Sequence, residues 1–549
     1  MIDAVRHRTR LLTLASRRSC RSRVLLSALS ALLLSLGLEG CGETLSETPS
    51  LRGESLAPTT GKERQATKGP LAAATGSYPF FTDSGGRRAV YLTGSHTWNT
   101  FQDWGPTDPP APFDYSAYLD FLERHGHNFI RLYVWEQAAW FPRTERKIVI
   151  APLPYLRPGP GDALDGGKRF DLTRFNSEYF RRLRERVDAA RARGIYVSVM
   201  LFDGWSVDLK GEKAGNPWRG HPFNRENNIN AIDGDPTRSG EGKGVHTLAN
   251  AKVTALQKAY LRKVVETVGE LDNVLWEISN ESDAGSVEWQ YAMIRSVKAL
   301  ESERGIRHPV GMTPTWPAPA DANKSLFDSP ADWISPYADS AHPLYRDDPP
   351  AFREGKVVLT DTDHLWGVGG STRWVWKSFL RGMNPLFMDP YQTTIYRNLP
   401  AWPEARDAEA FAPPPSLEWE KIRVTMGYAR ALADRVDLAS MRPLDSASST
   451  RYCLADPGKE YLVYVPFQNS WQNKLLRWLW KDFLRESVQT DLSAAPGEFA
   501  VEWLDIERGL LFPGEPVSGG RRVEFRAPFA GDAILHLKAH SASANAARS

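Results

Sequence analysis

Val274-Leu275-Trp276-Glu277-Ile278-Ser279-Asn280-Glu281 is the stretch with the clearest chemical content. It opens apolar and β-prone, as a buried strand does. It closes on an Asn–Glu pair followed by Ser282, Asp283, Ala284 and Gly285, a loop composition. A carboxyl at a strand end can protonate a leaving oxygen, and an amide beside it can hold a sugar hydroxyl. The alternative is a strand end closed by an Asx turn, with Glu281 solvated. Glu277, Ser279 and Glu281 share one face if the strand stays extended. Glu277 would then lie about 13 Å below Glu281, too deep to reach the same bond.

A second acidic cluster is Thr360-Asp361-Thr362-Asp363-His364. Alternation with Thr lets both aspartates project the same way if the strand persists. Two carboxyls across a glycosidic bond make a hydrolase. They stand about 5–5.5 Å apart if one is a nucleophile and about 6.5–9.5 Å apart if one activates water. Asp361 is preferred because it follows the apolar run directly, with Asp363 and His364 as neighbours that orient or tune it. The alternative is an Asp pair capping a loop, or a calcium or structural hydrogen-bond site. Asp389, in Phe387-Met388-Asp389-Pro390-Tyr391, is a third carboxylate able to complete a pair. His96, Trp98, Asn99, Asp203, Tyr337 and Trp366 also fall at strand ends or in the loops after them. Trp366 is the best sugar platform and Tyr337 the best partner for a nucleophile, although a strand-end residue such as His96 is often structural. Trp205, His342 and Tyr391 are weaker members of this group.

The elements that must position these groups alternate. Strands are expected at Ala89–Trp98, Asn128–Trp135, Tyr196–Leu201, 274–281, Pro309–Thr315, Trp333–Tyr337, Val357–His364 and Pro385–Tyr391. Helical spacing covers 115–125, 177–193, 249–269, 286–303, 372–381 and 417–435. This pattern predicts an α/β fold, a (β/α)8 TIM barrel over residues 77–437, whose C-terminal strand ends carry the site. Residues 438–540 switch to short strands separated by Gly and Pro, predicting an antiparallel β-sandwich. Inside it, Trp471 to Leu484 reads as a surface docked on the barrel or as a sugar-binding patch. Residues 541–549 read as a disordered tail.

At the other end, residues 1–41 combine seven arginines with an apolar run from Val24 to Leu38, too short to span a bilayer. They read as a signal peptide. Leu38-Glu39-Gly40-Cys41 has the spacing of a bacterial lipobox, with Cys41 as the lipidation site and Glu39 departing from the usual small residue. Residues 42–76 are rich in Ser, Thr, Gly, Pro and Ala and read as a flexible tether. These features predict a bacterial cell-envelope location, as an outer-membrane lipoprotein or a secreted protein, touching membrane only through Cys41.

A chain of 549 residues with 42% hydrophobic content holds more than one domain. Its 19 Trp lean toward carbohydrate, since an indole stacks well on a sugar face. A net charge of +2 shows no commitment to nucleic acid. Its three cysteines, Cys20, Cys41 and Cys453, give no disulfide framework and no zinc spacing. No cofactor or metal is expected.

The strand ending in Trp276-Glu277-Ile278-Ser279-Asn280-Glu281 resembles strand four of the clan A glycoside hydrolases. That resemblance implies Glu281 as acid/base and Asn280 as the contact to the sugar 2-hydroxyl. Arg131, in Phe129-Ile130-Arg131-Leu132, resembles the clan's strand-two Arg, which supports the nucleophile. Tyr91-Leu92-Thr93-Gly94-Ser95-His96-Thr97-Trp98-Asn99 is similar to the apiosidase-like barrels, which often carry a small C-terminal domain of collagen-binding type. Gly531 to Lys538 resembles the end of that domain. The resemblance implies a glycosidase of the retaining class, acting on a polysaccharide or oligosaccharide. Strand seven departs from it by offering Asp where the clan has Glu. The shorter side chain is met by a closer backbone, by an inverting site with a water between, or by a site that has left hydrolysis. The rival reading is a non-catalytic carbohydrate- or matrix-binding surface protein on a decayed barrel.

Overall fold

The computed structural model describes residues 53–57, 67–73, 78–141, 147–208, 216–338, 344–352, 355–389, 391, 417–468 and 485–540. The signal segment with Cys41, His342, Trp471 to Leu484 and the 541–549 tail lie outside the described residues.

Eight parallel strands form the barrel: β1 (Gly94–His96), β2 (Phe129–Leu132), β3 (Tyr196–Asp203), β4 (Val274–Asn280), β5 (Val310–Met312), β6 (Trp333–Ile334), β7 (Val357–Asp361) and β8 (Asn384–Met388). Their spatial order is β1-β8-β7-β6-β5-β4-β3-β2. The sheet nearly closes, because side chains and loop backbone bridge β1 to β2. Asn128 N–H donates to Thr93 O (3.0 Å), and Thr93 N–H donates to Asn128 Oδ1 (3.0 Å). The two strands come so close at Gly94 that a Cβ there would lie 1.9 Å from Phe129 O.

Helices follow the strands: α1 (Tyr115–Arg124), α2 (Ser177–Arg191), α3 (Ala251–Val268), α4 (Val287–Glu303), α5 (Ala322–Asp328), the short α6 (Thr362–Leu365), α7 (Thr372–Leu380) and α8 (Leu417–Ala433). Their starts are set by short polar side chains. Asp114, Asn176, Asn250 and Ser371 accept from the first-turn amides of α1, α2, α3 and α7, each worth about 1 kcal/mol. Every residue of β3 and β4 is buried, as expected of strands covered on both faces. Period two sorts β4: the Trp276 indole points out to Glu301 of α4 (2.7 Å), while Glu277 points in toward β2 and β3.

Two strand ends differ from expectation, and both differences shape the site. β7 stops at Asp361, whose carboxylate caps α6 by accepting from Asp363 N–H (2.9 Å). Asp361 and Asp363 therefore do not alternate along a strand; Asp361 ends the strand and Asp363 lies in the first turn of the helix. At β4, Glu281 leaves the extended line with φ +46, a left-handed conformation that costs a non-glycine residue about 1–2 kcal/mol. It does not continue the face of Glu277 and Ser279.

The C-terminal part is antiparallel. It contains β9 (Arg442–Pro443), β10 (Cys453–Asp456), β11 (Glu460–Val465), β12 (Ser487–Asp491), β13 (Glu498–Asp505), β14 (Leu510–Ser518), β15 (Arg522–Arg526) and β16 (Ala533–Ala539). One seven-stranded sheet takes the order Glu54–Ser55, β14, β13, β16, β11, β10, β9, and β12 pairs with β15 as a two-stranded ribbon. Alternation along β11 explains why all six of its residues are buried. Tyr461, Val463 and Val465 pack with Val488, Val523 and Phe525 of the ribbon. Leu462 and Tyr464 instead join the barrel core with Trp374, Trp376 and Tyr428. The second layer is therefore a ribbon on one face and the barrel's helices on the other. Within the stretch expected as a tether, Glu54–Ser55 pairs with β14 and Leu56 is buried. Ala72–Ala73 pairs with Phe81–Thr82.

Candidate active site

Arg131 organises the site from inside the barrel. Only 2% exposed, its guanidinium spends every nitrogen on a neighbour. Nε and Nη2 clamp the Glu277 carboxylate (3.0 and 2.5 Å), and Nη2 also donates to Asn280 Oδ1 (2.6 Å). Nη1 donates to Asp361 Oδ2 (3.0 Å) and Asp363 Oδ2 (3.3 Å). His96 Nε2 stands 2.8 Å from the same Asp361 oxygen. Burial alone would raise Asp361, but His96 and Arg131 outweigh it and hold this carboxyl well below the usual range. Asp361 is fully buried and already supplied with donors.

Asp363 is different. The turn of α6 carries it past the strand end into a cavity of about 500 Å³ at the barrel mouth. Glu281 lines the same cavity, at the end of β4, and its Oε2 accepts from the Trp205 indole (2.6 Å). Burial, then the charges of Glu281 and Asp361, push Asp363 well above an ordinary carboxyl, with Arg131 opposing. The nearby negative charges therefore disfavour the ionised form of Asp363. Seven of the lining side chains are Trp, among them Trp98, Trp205, Trp316 and Trp366. Tyr337 completes this wall beside Trp316, with ring centres 5.8 Å apart, and its hydroxyl is raised by burial and by Glu281.

Of the residues singled out from sequence, Glu281, Asp363, His364, Trp98, Trp205, Tyr337 and Trp366 meet on this one cavity. Others stand behind it. Asn280 is buried between Arg131 and the Tyr133 hydroxyl, to which its Nδ2 donates (2.6 Å). Tyr133 rather than Asn280 therefore reaches the cavity, and a sugar hydroxyl would meet Tyr133 first. His364 is brought down to about 3 by burial and by Arg131, so its ring is neutral. It donates from Nε2 to Asn280 Oδ1 (3.2 Å) and accepts at Nδ1 from Ser335 (2.7 Å). His96 and Asn99 are buried off the cavity wall. Asp203 is fully buried and accepts from Ser206 (3.1 Å). Asp389 is no spare carboxylate: Arg423 clamps it through Nε (2.8 Å) and Nη2 (2.5 Å), and Tyr391 N–H caps it (2.7 Å).

Sequence reasoning misses a second polar chain that ends beside Glu281. Ser279 and Ser282 hydroxyls meet at 2.5 Å, and Ser282 donates to His246 Nδ1 (3.0 Å). His246 Nε2 donates to Glu136 Oε1 (2.9 Å), which also accepts from Asp203 N–H (3.0 Å). Burial raises Glu136, but His246 and His221 bring it down to about 2. Together with Thr313, which donates to Ser279 O (2.7 Å), this chain pins the turn in which Glu281 takes its left-handed conformation. Gly204 fits against that turn because a Cβ there would lie 2.2 Å from Glu281 O. Glu136 follows strand two as Glu281 follows strand four, a signal that the sequence does carry. His246 lies in a Gly-rich loop with no pattern around it.

Comparison with known proteins agrees with this geometry at the level of fold. Residues 122–321 match the family model described as a domain of unknown function, DUF6298. No curated protein matches. A solved structure titled "Glycoside hydrolase" superposes with a TM-score of 0.50 at 14% identity, covering 86% of this chain and 97% of that one. A glycoside hydrolase family 5 structure from Bacteroides vulgatus gives 0.49 at 14% identity, covering 85% and 93%. The first of these superpositions shows that the chain shares the barrel architecture of a solved glycoside hydrolase.

Proposed function

We propose that this chain is a glycoside hydrolase that cleaves an O-glycosidic bond between Glu281 and Asp363. The observation that carries this reading is that two carboxyls, from the ends of β4 and β7, line one cavity walled by aromatic rings. That is the combination needed for cleaving an acetal: a proton for the leaving oxygen, a second carboxyl, and platforms for sugar faces. Asp361, preferred from sequence, acts here as a positioning residue, capping α6 and anchoring Arg131.

The reaction we infer is a retaining double displacement. Glu281 gives its proton to the glycosidic oxygen as an Asp363 oxygen bonds to the anomeric carbon, and the aglycone leaves as an alcohol. Glu281 then takes a proton from water, whose oxygen displaces Asp363 and restores both carboxyls. Arg131, 3.3 Å from Asp363, favours its ionised form. The strand-seven turn offers an answer to the short side chain: Asp363 gains reach from the helix rather than from a methylene. A second reading exchanges the roles, favoured by the Trp205 N–H on Glu281, which stabilises a carboxylate there.

The Ala variants decide both points with sodium azide and an activated aryl glycoside. Glu281→Ala should yield a glycosyl azide of retained configuration, and Asp363→Ala one of inverted configuration. The opposite pairing exchanges the roles. Full turnover by Glu281→Gln sinks the assignment of Glu281 as a reacting carboxyl, whereas saccharide binding without any turnover in the parent chain favours a binding protein. We further propose the apiosidase-like subtype, a C-terminal β-sandwich domain of collagen-binding type, and export with lipidation at Cys41 or secretion. Metabolic labelling with a fatty-acid probe, lost in Cys41→Ser, tests the lipid.

A further inference from the structure

The cavity wall carries a cation that neither acid uses. Arg346 lines the cavity, and its guanidinium carbon lies 5.9 Å from the centre of the Trp366 ring, another wall residue. Its backbone is fixed on both sides. Tyr345 is buried, and its carbonyl accepts from the Trp374 indole (3.1 Å). The Asp347 carbonyl accepts from Lys377 Nζ (2.6 Å). The side chain is less satisfied. Its contact with a carboxylate among the described residues is Nη2 to Asp347 Oδ2 at 3.4 Å, and Asp347 is 59% exposed. An exposed pair at that distance contributes little. Arg346 Nε is buried and has no hydrogen-bond acceptor among the described residues. Arg131, by contrast, has an acceptor on every nitrogen.

A planar guanidinium over an indole, with a buried donor unfilled, is a receptor for a flat or tetrahedral anion. The titratable groups facing the cavity from other elements are Glu281, Asp363, His364, Tyr133 and Tyr337, and none adds a cation, since His364 is neutral. An anion entering is therefore repelled from the two acids and attracted to Arg346. On the reading that this cavity cleaves glycosides, we propose that its substrate is an anionic saccharide. The carboxylate of a uronic acid, or a sulfate ester, is taken by Arg346, and a sugar ring stacks on Trp366.

The test uses the full chain and two measurements, retention in affinity electrophoresis and release of reducing ends. The probes are uronic-acid polysaccharides with their carboxyl-reduced counterparts, and sulfated galactans with their desulfated forms. The anionic form of one pair should bind about tenfold or more tightly than its neutral form, as a charge-assisted fork requires. Arg346→Gln should erase that difference while leaving the neutral form within about twofold, and Arg346→Lys should restore part of it. Loss on carboxyl reduction assigns a uronate, and loss on desulfation a sulfate ester. Equal retention of anionic and neutral forms, or a preference that survives in Arg346→Gln, overturns the proposal. The two readings fail separately. Anion-selective retention without any release of reducing ends would leave the Arg346 site standing and remove the hydrolase. Release from neutral polymers alone would do the reverse.

Discussion

Asp363 and Asp389 both follow apolar barrel strands, and in the sequence they look interchangeable. In the fold they are opposites. Asp389 is closed, with two guanidinium nitrogens and a backbone amide on one carboxylate. Among the described residues, the Asp363 carboxyl has one hydrogen bond, at 3.3 Å from a guanidinium that also serves three other groups, and it lines the cavity. The difference teaches that position at a barrel mouth does not make a carboxylate available for chemistry. What makes it available is a shortage of donors beside open space. Asp361, two residues before Asp363, is on the closed side of that line.

The sharpest way to break the comparison is to remove each charge in turn. Asp363→Asn should lower kcat by about 10²–10⁴-fold with little change in thermal midpoint, as expected for a reacting carboxyl. Asp389→Asn should do the reverse, keeping turnover per folded molecule but destabilising by about 3–5 kcal/mol as Arg423 loses a buried partner. Denaturant titration beside steady-state kinetics separates the two. Arg131→Ala should fail on both counts, because Glu277 and Asp361 are left buried without their cation. A loss of about 3–5 kcal/mol is expected, and Arg131→Lys should recover only part of it because it lacks the fork.

The pH dependence of stability sharpens the contrast. The His364 ring takes a proton near 6.5 when unfolded but only near 3 in the fold. Between those values the unfolded chain binds more protons, so this contribution is complete above about pH 6.5 and is lost as pH falls. His364→Gln should flatten the slope of stability against pH in that window by up to about 1.4 kcal/mol per unit. Asp363 runs the other way: its raised carboxyl makes a contribution that is present at low pH and lost as pH rises. The smallest effect belongs to the chain beside Glu281. Ser282→Ala should cost about 0.5–1.5 kcal/mol and show as a fall in kcat with KM unchanged, checked by kinetics at constant folded fraction.

Much of this is legible in the amino-acid sequence alone. Apolar runs covered on both faces announce the barrel strands, and Asn280–Glu281 announces the fourth strand's end. The strand-seven aspartates stand out as well, but sequence prefers Asp361, whereas Asp363 is the one that lines the cavity. Whether Thr362 continues a strand or starts a helix depends on Asp361 capping its own neighbour, a choice that alternating Thr and Asp leave open. Asn280 goes to the sugar on resemblance because resemblance speaks of residue types and not of the tyrosine that stands in front of it. The Glu136–His246–Ser282 chain joins loops far apart in sequence, and no local pattern reports such a meeting. β14 runs through Pro513, Gly514 and Pro516, residue types that sequence places between strands, yet it stays paired with β13 across a register shift.

The barrel's seam carries one more consequence. Between β1 and β2 no ladder runs; Asn128 latches the two strands, with Gly94 pressed against Phe129. His96 stands at the end of β1 and Arg131 on β2, and both hold Asp361. The ion cluster is thus a rivet across the barrel's weakest join. Anything that draws Arg131 toward the cavity loads that join, and the amides of Gly94 and Ser95 are where the strain surfaces. Their deuterium uptake should be the fastest among the barrel strands and should change when the cavity fills, turning the seam into a gauge of occupancy.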